Sequence, residues 1–179
     1  IVGEIDIVRH FDGVALVNRY YSGPGGGTFT GAIALAPNEL LTIGRGSAAL
    51  HYFSDGGVTT EDPLLSTAPD GGGIHPSLYA IWGTSEQDIW AVGQGGTVRH
   101  RLLGGWSEVD ASLTFDLYAL HGATSDDFWV VGESPELVHY VSGIWTRYPI
   151  AGQTRFNAVW ASATNDVWFG GNGLFFHWD

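Results

Sequence analysis

The chain has 179 residues, 44% of them hydrophobic and 13% aromatic, enough for one sizeable core and too few for two independent domains. Seven Arg, no Lys and nineteen acidic side chains give a net charge of -12. That balance excludes nucleic acid and anionic membrane surfaces as partners, because there are too few cations to displace counterions, and the absence of Cys removes disulfides and thiolate metal sites.

In chain order, Val2-Gly3 reads as the end of a strand, with Asp6–Phe11 and Val14–Tyr21 as two more. The chain contains no Met, so Ile1 is read as following a removed leader or opening a piece of something longer. No apolar run reaches the roughly 18 residues of a membrane-spanning helix. Gly25-Gly26-Gly27 and Gly71-Gly72-Gly73 have no Lys beside them and read as loops, not phosphate cradles. Ala32-Ile33-Ala34 and Glu39-Leu40-Leu41-Thr42-Ile43-Gly44 open a unit that runs to about residue 66. The Pro/Gly-rich stretch 66–77 then reads as an inserted loop.

Beyond it the repeat is plain. Tyr79-Ala80-Ile81-Trp82-Gly83 and Asp88-Ile89-Trp90-Ala91-Val92-Gly93 return as Tyr118-Ala119-Leu120-His121-Gly122 and Asp127-Phe128-Trp129-Val130-Val131-Gly132. They return again as Asn157-Ala158-Val159-Trp160 and Asp166-Val167-Trp168-Phe169-Gly170-Gly171. A His follows each Gly: His10, His51, His100 and His139 by seven residues, His177 by six. Trp106 and Trp145 open the segment after the His.

Each unit holds four short apolar runs bounded by turn residues, as in Leu78–Trp82, Ile89–Val92, Thr97–Leu102 and Trp106–Val109. A unit of about forty residues with four strands is the size of a β-propeller blade. Burial on both faces explains why Ile89-Trp90-Ala91-Val92 is apolar throughout. The expected fold is therefore all-β, a propeller of four-stranded antiparallel blades with four to five blades represented. The single domain divides into a partial blade over 1–30, blades over about 31–66, 78–116 and 117–150, and a partial blade over 156–179. The strand count does not close: uniting the two ends into one blade leaves a third strand surplus. That predicts part of a larger propeller, or strands supplied by another chain, with the open blade faces covered by that chain or by a missing segment.

The motif W-G-x-S-x-x-D-x-W-A-V-G-x-x-G-x-x-x-H followed by G-x-W resembles the bacterial propeller repeats of extracellular and envelope proteins. It is distantly similar to photosystem-assembly-type and sialidase-type propellers, but the sialidase S-x-D-x-G-x-x-W box is missing. The resemblance implies an extracellular or cell-envelope location and says little about activity.

Asp88, Asp127 and Asp166 precede the second strand and are expected to accept hydrogen bonds from turn amides, a structural role. The third-strand histidines His10, His51, His100, His139 and His177 sit too far from the axis to converge on a metal. They are expected to bond neighbouring backbone or turn groups. Trp90, Trp129 and Trp168 are expected to pack between blades. The first-strand position Trp82, His121 and Trp160 varies within the repeat, which marks it as the candidate ligand-binding row. Arg99 and Arg101 share a strand face and are expected to be solvated or paired locally.

No P-loop, G-x-S-x-G or H-E-x-x-H is present, so no catalytic residue, metal or cofactor is assigned. The leading expectation is a non-enzymatic module that recognises protein or glycan through its rim loops or channel. A glycosidase or lyase with axial carboxylates, Glu133 and Asp166 for example, is the alternative. A structural subunit or processed fragment of a larger assembly is a third.

Overall fold

The computed structural model describes residues 7–11, 16–20, 28–37, 39–45, 49–53, 57–61 and 76–179. Five antiparallel sheets follow one another along the chain. Blade 1 comprises β1 (Ile7–Phe11) and β2 (Leu16–Tyr20), paired so that His10 faces Val17 across the ladder. Blade 2 is β3 (Phe29–Ala36), β4 (Glu39–Gly44), β5 (Ala49–Phe53) and β6 (Val58–Glu61). Blade 3 is β7 (Leu78–Ser85), β8 (Asp88–Gly93), β9 (Val98–Leu102) and β10 (Gly105–Glu108). Blade 4 is β11 (Leu117–Thr124), β12 (Asp127–Gly132), β13 (Glu136–Val141) and β14 (Ile144–Pro149). Blade 5 has three strands, β15 (Ala158–Ala163), β16 (Asp166–Gly171) and β17 (Leu174–Trp178). Val2-Gly3 and residues 66–75 of the expected loop lie outside the described residues.

This is the expected β-propeller. Strands run in order outward from the first, and the first strands β3, β7, β11 and β15 of successive blades lie against one another on the inside. Helical geometry among the described residues is confined to a short turn at Gln94–Gly96 and to Arg45. The ends β1–β2 and β15–β17 belong to separate sheets, so no composite blade forms from them.

The apolar side chains are buried between sheets, in layers. One layer joins Leu41, Ile43 and Ala49 of blade 2 to Ile89 and Ala91 of blade 3. The next joins Trp90, Val92 and Val98 of blade 3 to Leu120, Phe128, Val130 and Val138 of blade 4. A third joins Trp129, Val131 and Leu137 of blade 4 to Ala161, Val167 and Phe169 of blade 5. Alternate residues of one second strand thus serve two different layers, which is why that strand is apolar at every position.

Two-residue turns with both central residues at positive φ close three hairpins: Leu103-Gly104, Ser142-Gly143 and Asn172-Gly173. The last joins β16 directly to β17 and so accounts for the shortened interval from Gly171 to His177. Leu103, at φ 51 and 77% exposed, is the wrong residue for its place: a γ-branched side chain in a left-handed conformation with nothing to pack on. Leu103→Asn is expected to stabilise the chain by about 0.5–1 kcal/mol, read from a higher urea midpoint at unchanged slope.

Candidate functional site

In blades 2 to 5 the third-strand imidazole binds the carboxylate that begins the second strand of its own blade. The Nε2–Oδ1 distance is 2.7 Å for His100 and Asp88, 2.7 Å for His139 and Asp127, and 2.8 Å for His177 and Asp166. In blade 2, Glu39 takes the carboxylate's place at 3.3 Å from His51. An ionised carboxylate only accepts, so Nε2 carries the proton. The Asp was expected to serve turn amides; its partner is instead this imidazole. The reason is register: His100 lies opposite Trp90, two places along from the partner of Asp88, so all three side chains share one face. Trp and His stack in consequence, with ring centroids 3.9 Å apart for Trp90 and His100 and 3.9 Å for Trp129 and His139. Asp166 is held below the usual carboxylate range, first by the Ser162 hydroxyl and then by His177. His10 sits on β1, where only its backbone register is described.

Arg99 and Arg101 are buried, and of the two expected outcomes, solvation or local pairing, the structure shows local pairing. Arg99 pairs with Glu108, its cross-strand neighbour, at 3.0 Å. Arg101 donates to the Glu86 carbonyl at 2.6 Å. Arg101 lines a cleft together with Leu35, Glu39 and His51 of blade 2.

Trp82, His121 and Trp160 form a row across the inner strands. His121 has its ring centroid 5.5 Å from Trp82 and 6.3 Å from Trp160, and its Nδ1 accepts the Ala161 N–H at 3.1 Å, tying blade 4 to blade 5. Trp82 packs onto Phe128 of the next blade. Two of the three are therefore engaged between blades, and only Trp160 is widely exposed.

Burial lowers the His121 pKa. Accepting from Ala161 also requires a bare Nδ1, so protonation removes the link. A depressed folded-state pKa means the unfolded chain binds the proton more readily. The stability tied to His121 is thus complete above its unfolded value of about 6.5 and falls as pH drops below it. Melting between pH 8 and pH 5 should show a steeper acid loss for the native chain than for His121→Gln.

The axial carboxylate pair does not form. Asp166 begins β16 and Glu133 follows the end of β12, at opposite ends of six-residue strands about 17 Å long.

A different cluster does assemble, at the end where second strands finish and first strands start. β-Bulges follow Leu78 and Leu117, leaving Tyr79 and Tyr118 unpaired in their ladders. A bulge re-aims its side chain, and the two phenol rings come to lie 6.1 Å apart. The Tyr79 hydroxyl donates to Asp116 Oδ2 at 3.4 Å, while Asp116 Oδ1 accepts the Gly95 N–H at 2.8 Å. Glu133 lies near enough to Tyr118 to act on its phenol. Both phenol pKa values are raised, first by burial and then by these carboxylates, against opposing influence from Arg45 on Tyr79 and Arg155 on Tyr118. The phenols therefore stay neutral donors, and the carboxylates keep lone pairs for other donors.

This cluster was not singled out from sequence. The repeat carried a signal for it: the residue after each second-strand Gly changes from Arg45 to Gln94, Glu133 and Asn172, and a varying position on a regular frame is where specificity is built.

No protein-family model and no curated protein matches the sequence. Among solved structures, the chain is similar to YCF48 bound to D1 peptide, with TM-score 0.71 and 14% identity over 96% of this chain and 56% of that one. It is similar to YCF48 from Cyanidioschyzon merolae, with TM-score 0.71 and 11% identity over 99% of this chain and 64% of that one. The WD40 β-propeller domain of Doa1 gives TM-score 0.71 and 13% identity over 96% of this chain and 56% of that one. At such identities the likeness is one of fold. The chain spans 56% to 64% of the length of these structures.

Proposed function

We propose that this chain is a protein-interaction module that receives an extended partner segment across the inner rim at Tyr79, Asp116, Tyr118 and Glu133. The observation that carries the reading is the pair of bulged tyrosines brought together from two blades, Tyr79 hydrogen-bonded to Asp116 of the connecting segment and Tyr118 beside Glu133. A propeller of the same fold that holds a peptide, YCF48 with D1 peptide, supports it. A protein partner is favoured over a glycan because Trp82 and His121 are already committed between blades.

The partner segment is basic. Asp116 and Glu133 offer accepting oxygens to Lys, Arg or backbone N–H groups, the phenol faces suit a cation, and the chain's charge of -12 accelerates encounter with a cationic ligand.

The test is a panel of immobilised basic and acidic twelve-residue peptides. The native chain should retain basic members, more weakly at high salt. The double variant Tyr79→Ala/Tyr118→Ala should bind at least tenfold more weakly while its far-ultraviolet circular dichroism is unchanged. Equal binding by native and doubly substituted chains would sink the reading.

A further inference from the structure

The forward face of blade 5 is chemically the same as the faces that are buried elsewhere, yet it lies open. Trp90 and Trp129 are 2% and 1% exposed, whereas Trp168, at the same repeat position, is 45% exposed. Beside it Trp160 is 53% and Phe175 80% exposed. Phe175 lies opposite Gly170 in the register place held by Val98 in blade 3, and Val98 is buried. Three aromatic side chains so disposed expose roughly 400 Å² of apolar surface, an amount that marks an interaction site on a folded domain. The His177–Asp166 pair and the Trp168–His177 stack are formed on this face, so it is already organised as in the closed layers.

The closed layers show what fits. Trp90 is covered by Phe128 and Tyr140 of the following blade, at centroid distances of 4.9 and 5.1 Å. Trp129 is covered by Phe169 and Trp178, at 5.2 and 5.0 Å. The covering ring stands one residue after the next blade's Asp for Trp90 and three after it for Trp129, with a second ring after the His in both cases, and the alternate positions, Val130 and Val167, are buried in the same layers. On its outer edge β17 carries no further strand among the described residues, whereas β5, β9 and β13 pair with β6, β10 and β14.

We infer that the face formed by Trp160, Trp168, Phe175 and His177 is a docking surface for one further propeller blade of the same repeat chemistry. That blade presents apolar side chains one and three residues after its second-strand Asp and an aromatic residue after its third-strand His. A general apolar partner would bury the rings but leave the exposed His177–Asp166 pair without the register-matched cover seen in the closed layers.

The test extends the chain after Asp179 with a copy of residues 142–179, which provides a fourth strand beside β17 and then a new blade face. Hydrogen exchange of the backbone amides of β15–β17 is compared in the original and extended chains. Exchange at least tenfold slower in the extended chain supports the inference, provided the protection disappears when the copied residues corresponding to Val167 and Phe169 are both Asp. Equal exchange in the original and extended chains overturns it. Sedimentation of the original chain as a dimer with β15–β17 already protected also overturns it, since the occupant would then be a second copy.

Discussion

Replacing Gly132 with alanine is expected to lower stability by about 3 kcal/mol, equivalent to a fall in Tm of roughly 6–12 °C for a chain of this length. The carbonyl of Asp116, on the connection into β11, passes directly over Gly132. A Cβ there would meet that oxygen at 1.9 Å and the Leu117 Cα at 2.8 Å. Both obstacles are backbone, and the connection is held in place by the Glu133 N–H donating to the same Asp116 carbonyl at 2.8 Å, so neither can yield cheaply. The same crossing recurs at Gly44, Gly93 and Gly171, where a Cβ would meet Thr28, Ser77 and Arg155 carbonyls at 2.4, 2.0 and 2.4 Å. Gly170→Ala is the control: its nearest contact would be 3.5 Å from the Phe175 ring, and its expected effect is within about 0.5 kcal/mol. Thermal melts of the two variants check the prediction, and equal Tm values would refute it.

Trp129→Ala is expected to cost about 3–5 kcal/mol, the range for truncating a fully buried large aromatic. The indole stacks on His139 and meets Phe169 and Trp178 across the layer between blades 4 and 5, so its removal leaves a cavity bounded by two sheets. Trp168→Ala, at the same place in the repeat, should cost about 1 kcal/mol or less, because its outer face meets solvent and no cavity forms. Urea unfolding of the two variants measures the difference. Equal losses would mean that blade 5 is covered as blade 4 is, and would remove the basis for a docking surface on it.

Several features of the molecule are legible in the amino-acid order because they are local and repeated. The period announces the blades, and the unbroken apolar run Ile89–Val92 announces burial on two faces. The constant interval of twelve from Asp88 to His100 and from Asp127 to His139 held the carboxylate–imidazole partnership as well. Reading the Asp as a turn residue hid it, since its place next to a hairpin also suits a bond to turn amides. Arg99 and Arg101 left two outcomes open in the sequence, solvation or local pairing, and pairing prevails because Arg99 has a cross-strand carboxylate and Arg101 a carbonyl within reach.

Taken alone, the order of residues determined the strand-by-strand plan of each blade and the positions of its Asp, Trp, Gly and His, because hairpin register propagates from one turn through residues close in sequence. Only the tertiary structure decided which groups meet across blades. Tyr79, Asp116, Tyr118 and Glu133 gather at one rim because bulges turn two side chains out of the alternation and a connecting segment crosses over a glycine. The difference between buried Trp129 and open Trp168 likewise lies in no local pattern, for both stand two residues after the second-strand Asp in an apolar run, and one has another sheet stacked upon it while the other has not.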